Sequence, residues 1–336
     1  MIITERMTLG MKIVICIFLF MVLLNVVPPK KQLEKNPFIV SKGERPLIAA
    51  HRGGKNLNPE NTFKAFDYAV NELDIDILEL DLVMTKDKHL VAIHNLTINE
   101  CSDAEAISGS TEDYYVGAHT LAELQELNFG YNFKDRNGNY PYRYALDDPE
   151  RMTKINNEQL HIATIDDIFA RYANTKLKFI VEIKDKNEIG FEAADQLNEL
   201  LTVTYRENNL RERVIIGTFN GEVENYIVEK YPTLFRGGSV SSVTSFVITQ
   251  MLGMNIFDKS NFMALQIPRS RSVKGITIKL DQRTYIKRAH LRGISVQYWT
   301  INDKEEMRRL LELGADVIMT DNPDIALELL TEMGYE

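Results

Sequence analysis

Residues 77–82 read ILELDL and carry two carboxylates, Glu79 and Asp81. Side chains of an extended strand alternate between its faces, so both acids point one way while Leu78 and Leu80 point the other. Two carboxylates aimed into a protein interior are costly to bury unpaired. A divalent cation resolves this, and oxygen-only ligands suit Ca2+ or Mg2+ rather than zinc. Salt bridges to neighbouring strands are the plainer alternative. A third acid tips the balance toward the metal: FIVEIKD sets Glu182 and Lys184 on one face of a later strand. Lys184 suits either a phosphate or the neutralisation of carboxylates. An earlier strand ends AAHRGG. Its Arg52 offers a planar fork matched to phosphate, and Gly53-Gly54 lets the backbone turn sharply or approach a ligand. His94 closes a second strand-like run, HLVAIH. Imidazole titrates near neutral pH, so His51 and His94 flanking a metal-bound phosphate would supply the acid and base that phosphodiester cleavage needs. The cation and Arg52 would stabilise charge on the phosphoryl oxygens.

These residues need a scaffold that brings strand ends together. Strand-like runs fall at 46–51, 76–81, 178–183, 214–218, 234–237, 263–267, 294–300 and 316–320. Helical patterns lie between them at 62–72, 164–172, 189–207, 222–230, 243–252, 282–291 and 304–313, the first opening on Asn61 as a cap. The fold class is α/β: such alternation implies parallel βαβ units. Eight units point to a (β/α)8 TIM-type barrel, whose active site is built at the C-terminal strand ends; an open doubly wound sheet is the runner-up. The run 89–94 follows the second strand too closely for a parallel crossover. The two should form a hairpin turning near Lys86-Asp87, which returns His94 beside Glu79. Residues from about 96 to 160 then form a long insertion after the second strand, of the kind that is usually functional.

The 336 residues, 44% hydrophobic and 26% charged, fit a globular chain with one large core. The net charge of -9 argues against nucleic-acid partners. Cys16 and Cys101 build neither a disulfide framework nor a zinc site. Residues 13–24, IVICIFLFMVLL, follow Arg6 and Lys12 and read as a signal anchor. The expected organisation is an N-terminal membrane segment over 1–28, a linker over 29–44, and the barrel over 45–330. A single-pass membrane anchor is the expected localisation, with secretion after signal cleavage as the alternative. Basic residues flank the run on both sides, so charge assigns no orientation.

Joined together, HRGGKNLNPENTFKAF and ILELDLVMTKDKHLVAIHN resemble the glycerophosphodiester phosphodiesterases. LAELQELNFG, the VEIK segment and YWTINDKEEMRRLLELGADVIMTDNP extend the resemblance over roughly residues 46–330. It implies a (β/α)8 barrel and one divalent cation held by Glu79, Asp81 and Glu182. It further implies His51 and His94 as the acid/base pair, with Arg52 and Lys184 on the phosphate. Glu60 of PENT would support the site, and Trp299 would line the substrate pocket or pack in the core. The implied reaction is attack by a glycerol hydroxyl on phosphorus, loss of an alcohol, and hydrolysis of the cyclic phosphate to glycerol 3-phosphate. Two departures stand out: Asn95 replaces the usual Asp after the second His, and Lys88 replaces a turn glycine. Two other readings compete. One is a lysophospholipase D acting on membrane lysophospholipids; the other is a catalytically weak barrel serving as a binding module.

Overall fold

The apolar alternation resolves into a parallel sheet curled around an apolar interior. The computed structural model describes residues 8–26, 35–273 and 275–335. Its strands are β1 (Leu47–Ala50), β2 (Ile77–Met84), β3 (Leu90–Ala92), β4 (Lys178–Ile183), β5 (Val214–Gly217), β6 (Ala264–Ile267), β7 (Ser270–Val273), β8 (Ile276–Lys279), β9 (Ser295–Tyr298) and β10 (Val317–Thr320). Seven of these run in the order β5-β4-β2-β1-β10-β9-β6. The two ends are joined by a thin eighth stave: Gly237 N–H donates to Ile216 O at 3.0 Å and Gly238 N–H to Ala264 O at 3.1 Å. The result is a nearly closed (β/α)8 barrel, not an open doubly wound sheet. The eighth stave is reduced to single bridges where two glycines leave no side chains to pack.

The helices are α1 (Leu9–Val26), α2 (Phe63–Asp67), α3 (Ala104–Ser108), α4 (Leu121–Gln125), α5 (Arg151–Asn157), α6 (Ile165–Tyr172), α7 (Asn187–Glu199), α8 (Gly221–Lys230), α9 (Val240–Met251), α10 (Arg283–Leu291), α11 (Lys304–Leu313) and α12 (Pro323–Glu332). α3 to α5 lie within the insertion. Strand alternation sorts the core into two layers. Ala49, Ile77, Ile180, Ile215, Ala264, Val317 and Met319 fill the barrel interior. Leu78, Leu80, Val181 and Ile183 face the helices. Two helical patterns are shorter than expected, because both α2 and α7 pass into wide turns, Tyr68–Glu72 and Leu200–Thr204. α12 and the β7–β8 hairpin were not expected at all.

Three local expectations need correction. Thr62, not Asn61, caps α2 by accepting from Ala65 N–H, and Asn61 turns toward Asp81 instead. The linker expected over 29–44 lies outside the described residues as far as residue 34, and from Asn36 it is built into the barrel. Asn36 Nδ2 donates to Met263 O and Gly293 O, both at 2.8 Å, and Phe38 is fully buried in the interior cluster. The membrane-spanning anchor is not supported. Among the described residues no helix is long and apolar enough to cross a membrane.

β2 and β3 form the expected hairpin, in the register Leu82↔Ala92, Val83↔Val91 and Met84↔Leu90. Its turn survives the missing glycine: Lys88 takes the left-handed conformation itself, at φ 72°. Holding an L-residue there costs about 1–2 kcal/mol. The Lys88–Glu192 ion pair is exposed and offsets little of this. Lys88→Gly is therefore expected to raise stability by about 1 kcal/mol, read as a higher urea midpoint at unchanged slope.

Candidate active site

The C-terminal ends of β1, β2 and β4 converge on one pocket, and the register explains why. Asp81 stands opposite Glu182, and Glu79 opposite Ile180. β1 flanks the other side of β2, with Ala50 beside Leu78, so His51 follows at the level of Glu79. A cavity of about 130 Å³ is lined by His51, Arg52, Glu79, Asp81, His94, Glu182, Lys184 and Trp299, among others. Glu60 stands just outside, its carboxylate accepting from Arg52 Nη1 at 3.1 and 3.2 Å. Arg52 is held in the left-handed region at φ 52°. Gly53 follows at φ 82°, where a Cβ would lie 2.8 Å from the Ala65 Cβ. That glycine therefore serves the turn and the approach of α2, not a ligand.

The carboxylates are short of positive charge. One oxygen from each of Glu79, Asp81 and Glu182 lies within 4.8 Å of the others. Burial, then the charge of Asp81, lifts the Glu79 carboxyl well above the usual range. Burial also raises Glu182, although Lys184 opposes it. Asp81 is buried too, but Lys184, Arg52 and His94 together hold it low. Lys184 Nζ reaches Asp81 Oδ1 at 2.8 Å and Glu182 Oε1 at 2.7 Å. Arg52 N–H donates to Glu79 Oε2 at 2.9 Å, and its Nε lies 3.4 Å from Asp81 Oδ2. Both cations are thus engaged with acids rather than standing free for a phosphate. A buried, oxygen-only, under-compensated cluster suits a hard divalent cation such as Ca2+ or Mg2+.

The two imidazoles differ in their support. His51 Nδ1 lies 2.6 Å from Asp321 Oδ1. Asp321 is fixed in turn by Asn302, which donates Nδ2–H to Oδ2 at 2.7 Å and accepts the Asp321 N–H at 2.9 Å. Burial pushes the His51 pKa down, but Glu79 and Asp321 push it up further, and the net shift is upward. His94 Nδ1 lies 2.7 Å from Asn95 Oδ1, a neutral partner. Burial lowers its pKa, Lys184 and Arg52 add to this, and Asp81 does not reverse it. The pair is therefore split, with His51 the readier to hold a proton.

Asp321 and Phe219 escaped the sequence reading. The signal for Asp321 was the acid just beyond the last strand, in TDNP, which closure sets beside β1 through the pair Ala50↔Thr320. Phe219 had no such signal; it meets Trp299 edge-on at 5.7 Å on the pocket rim. Trp299 is half-buried there and lines the pocket, while its inner side joins the interior cluster.

Two outcomes follow from this geometry. Asp321→Asn is expected to lower kcat about 10- to 100-fold with little change in KM. It should also lower the His51 pKa seen by NMR; an unchanged His51 titration would assign Asp321 no positioning role. Separately, a raised Glu79 holds its proton until pH climbs, so a cation binding there must displace it. Ca2+ affinity should therefore rise with pH through neutrality. Calorimetry in buffers of different ionisation enthalpy should register proton release.

The chain matches the Glycerophosphoryl diester phosphodiesterase family over residues 51–325. A glycerophosphodiester phosphodiesterase of Caldanaerobacter subterraneus is 27% identical, covering 86% of this chain and 99% of the relative. A lysophospholipase D of Rattus norvegicus is 24% identical, covering 84% and 86%. The fold is shared with an Oleispira antarctica phosphodiesterase solved with sn-glycerol-3-phosphate, at TM-score 0.60 and 19% identity over 85% of this chain and 97% of that one. With the family match running from the His51 turn to beyond Asp321, the chain belongs to the glycerophosphoryl diester phosphodiesterase family and is a phosphoric diester hydrolase.

Proposed function

We propose that the protein hydrolyses glycerophosphodiesters to an alcohol and glycerol 3-phosphate, in a reaction that depends on one divalent cation, Ca2+ or Mg2+. The observation that carries this reading is the joining of three carboxylates to two imidazoles of opposite pKa displacement in one pocket. Glu79, Asp81 and Glu182 would hold the cation, which when bound neutralises charge on the phosphoryl oxygens. Lys184 and Arg52, which now share the charge of these acids, would contact the phosphate.

Split pKa values assign acid and base roles. His94, whose pKa is pushed down, takes the proton from a glycerol hydroxyl through Nε2, because Nδ1 is engaged by Asn95. The hydroxyl oxygen forms a bond to phosphorus as the bond to the alcohol oxygen breaks. His51, the readier of the two to hold a proton beside Asp321, delivers an Nε2 proton to the departing alcohol. In the second half water attacks the cyclic phosphate. His51 now takes the water proton, and His94 returns its own to the glycerol oxygen, so both imidazoles end as they began. Glu60 keeps Arg52 oriented, and Trp299 walls the pocket. The complete pocket argues against a mere binding module.

Full-length protein supplied with Ca2+ or Mg2+ should release glycerol 3-phosphate from glycerophosphocholine and lose this activity in EDTA. His51→Ala should lower kcat about 100- to 10,000-fold, and Glu79→Gln should abolish the response to added cation. Full activity in both variants would overturn the site assignment.

A further inference from the structure

His94 has a partner that can face it in two ways. The usual Asp after the second histidine is Asn95 here, and its side chain lies 2.7 Å from His94 Nδ1. An amide has an accepting edge and a donating edge, where a carboxylate only accepts. With Oδ1 toward the ring, Nδ1 carries the proton and Nε2 is bare. With Nδ2 toward the ring, Nδ1 is the bare nitrogen and the proton sits on Nε2. Only the first arrangement can take a proton from a glycerol hydroxyl through Nε2.

The choice is made five residues further along the chain. Asn95 Nδ2 donates to Glu100 Oε2 at 3.0 Å. A carboxylate has no proton to give, so the amide edge that faces it must be the donating one, and Oδ1 is left for the imidazole. Among the described residues the Asn95 side chain has no other hydrogen-bond partner. Glu100 itself stands on a turn held by the insertion. Ile98 is fully buried, and Ser102 N–H donates to its carbonyl at 3.0 Å. The Asn99 side chain accepts from Tyr114 N–H at 2.8 Å and donates to Glu112 O at 2.9 Å. Glu100, Asn95 and His94 all border a cavity of about 350 Å³ that adjoins the catalytic pocket at Arg52 and His94. Without the carboxylate the amide would be free to turn there. Only a neutral imidazole has two tautomers, and burial moves His94 toward that form.

We propose that Glu100 is a positioning residue: through the Asn95 amide it fixes His94 as the Nδ1–H tautomer and so presents the Nε2 lone pair to the substrate. Its catalytic consequence rests on the phosphodiesterase reading above, whereas the tautomer does not. The orienting role of the acid missing at residue 95 is taken by a carboxylate one amide further out. The insertion thereby sets the direction of proton transfer as well as walling the site.

The test uses full-length protein saturated with Ca2+ or Mg2+ and isotopically labelled at its imidazole nitrogens. Spectra are recorded above the titration of His94, whose signals are identified by their loss in His94→Gln. In the parent protein Nδ1 should resonate as an N–H nitrogen and Nε2 as a bare one. Glu100→Ala should mix the two patterns and lower kcat on glycerophosphocholine about fivefold, with little change in KM. Asn95→Asp gives His94 an acceptor-only partner directly, so adding Glu100→Ala to that variant should alter neither the nitrogen pattern nor kcat. An Nε2–H tautomer in the parent would overturn the proposal, as would a pattern that Glu100→Ala leaves untouched. A kcat loss of the same size in the Asn95→Asp background would also overturn it, since a merely structural role would persist there. Failure of the parent to cleave any diester would overturn the phosphodiesterase reading instead, and the nitrogen pattern would still decide the tautomer.

Discussion

The central constraint on this protein is the repulsion among Glu79, Asp81 and Glu182. Three acids within 4.8 Å, two of them fully enclosed by neighbouring strands, cannot all be ionised without nearby positive charge. Arg52 and Lys184 satisfy part of the demand, and Glu60 claims some of Arg52 for itself. Burial, together with the remaining deficit, raises the Glu79 and Glu182 carboxyls. An arrangement of this kind is a poor way to stabilise a fold, because a buried pair of charges seldom outperforms apolar packing. Such a cluster suits a hard divalent cation better than it suits stability.

The barrel exists to hold that repulsion still. Parallel pairing puts Asp81 and Glu182 opposite one another, and neither can move away without breaking the ladder. The flanking leucines face the helix layer and anchor the same strands from behind. The hairpin contributes His94 from the far side: Ile93 N–H donates to Asp81 O at 2.9 Å, so the imidazole is indexed to the carboxylates by backbone alone. On the opposite flank Asn302 and Asp321 do the same for His51 through side chains. The two imidazoles thus have independent supports, one neutral and one charged.

Much of this was legible in the sequence, for identifiable reasons. Glu79, Asp81, Glu182 and His51 sit at the ends of apolar runs, and two-residue alternation shows which way they point. The hairpin followed from a connection too short for anything else. Asp321 was harder, since its meaning depends on the last strand lying beside the first, a fact of closure that no local pattern carries. Phe38 looked like linker because its burial comes from a barrel interior assembled from strands spread along the whole chain, beside the base where Asn36 bonds Met263 and Gly293. The shortfall at Lys88 was conformational, since a residue type constrains φ without dictating it.

The segment around Asn36 and Phe38 has a mechanical consequence. It crosses the base of the barrel, bonded to Met263 and Gly293, with Val40 N–H held by Asp316 at 2.9 Å. Tension on the chain preceding it would be borne in shear by those contacts, spread over β6, β9 and β10, before any of it reached β1. The catalytic end, at the opposite pole, is thereby isolated from strain arriving through the N-terminus. A tether could pull, swing or twist there while the distances between His51, Glu79 and Asp81 stayed as they are.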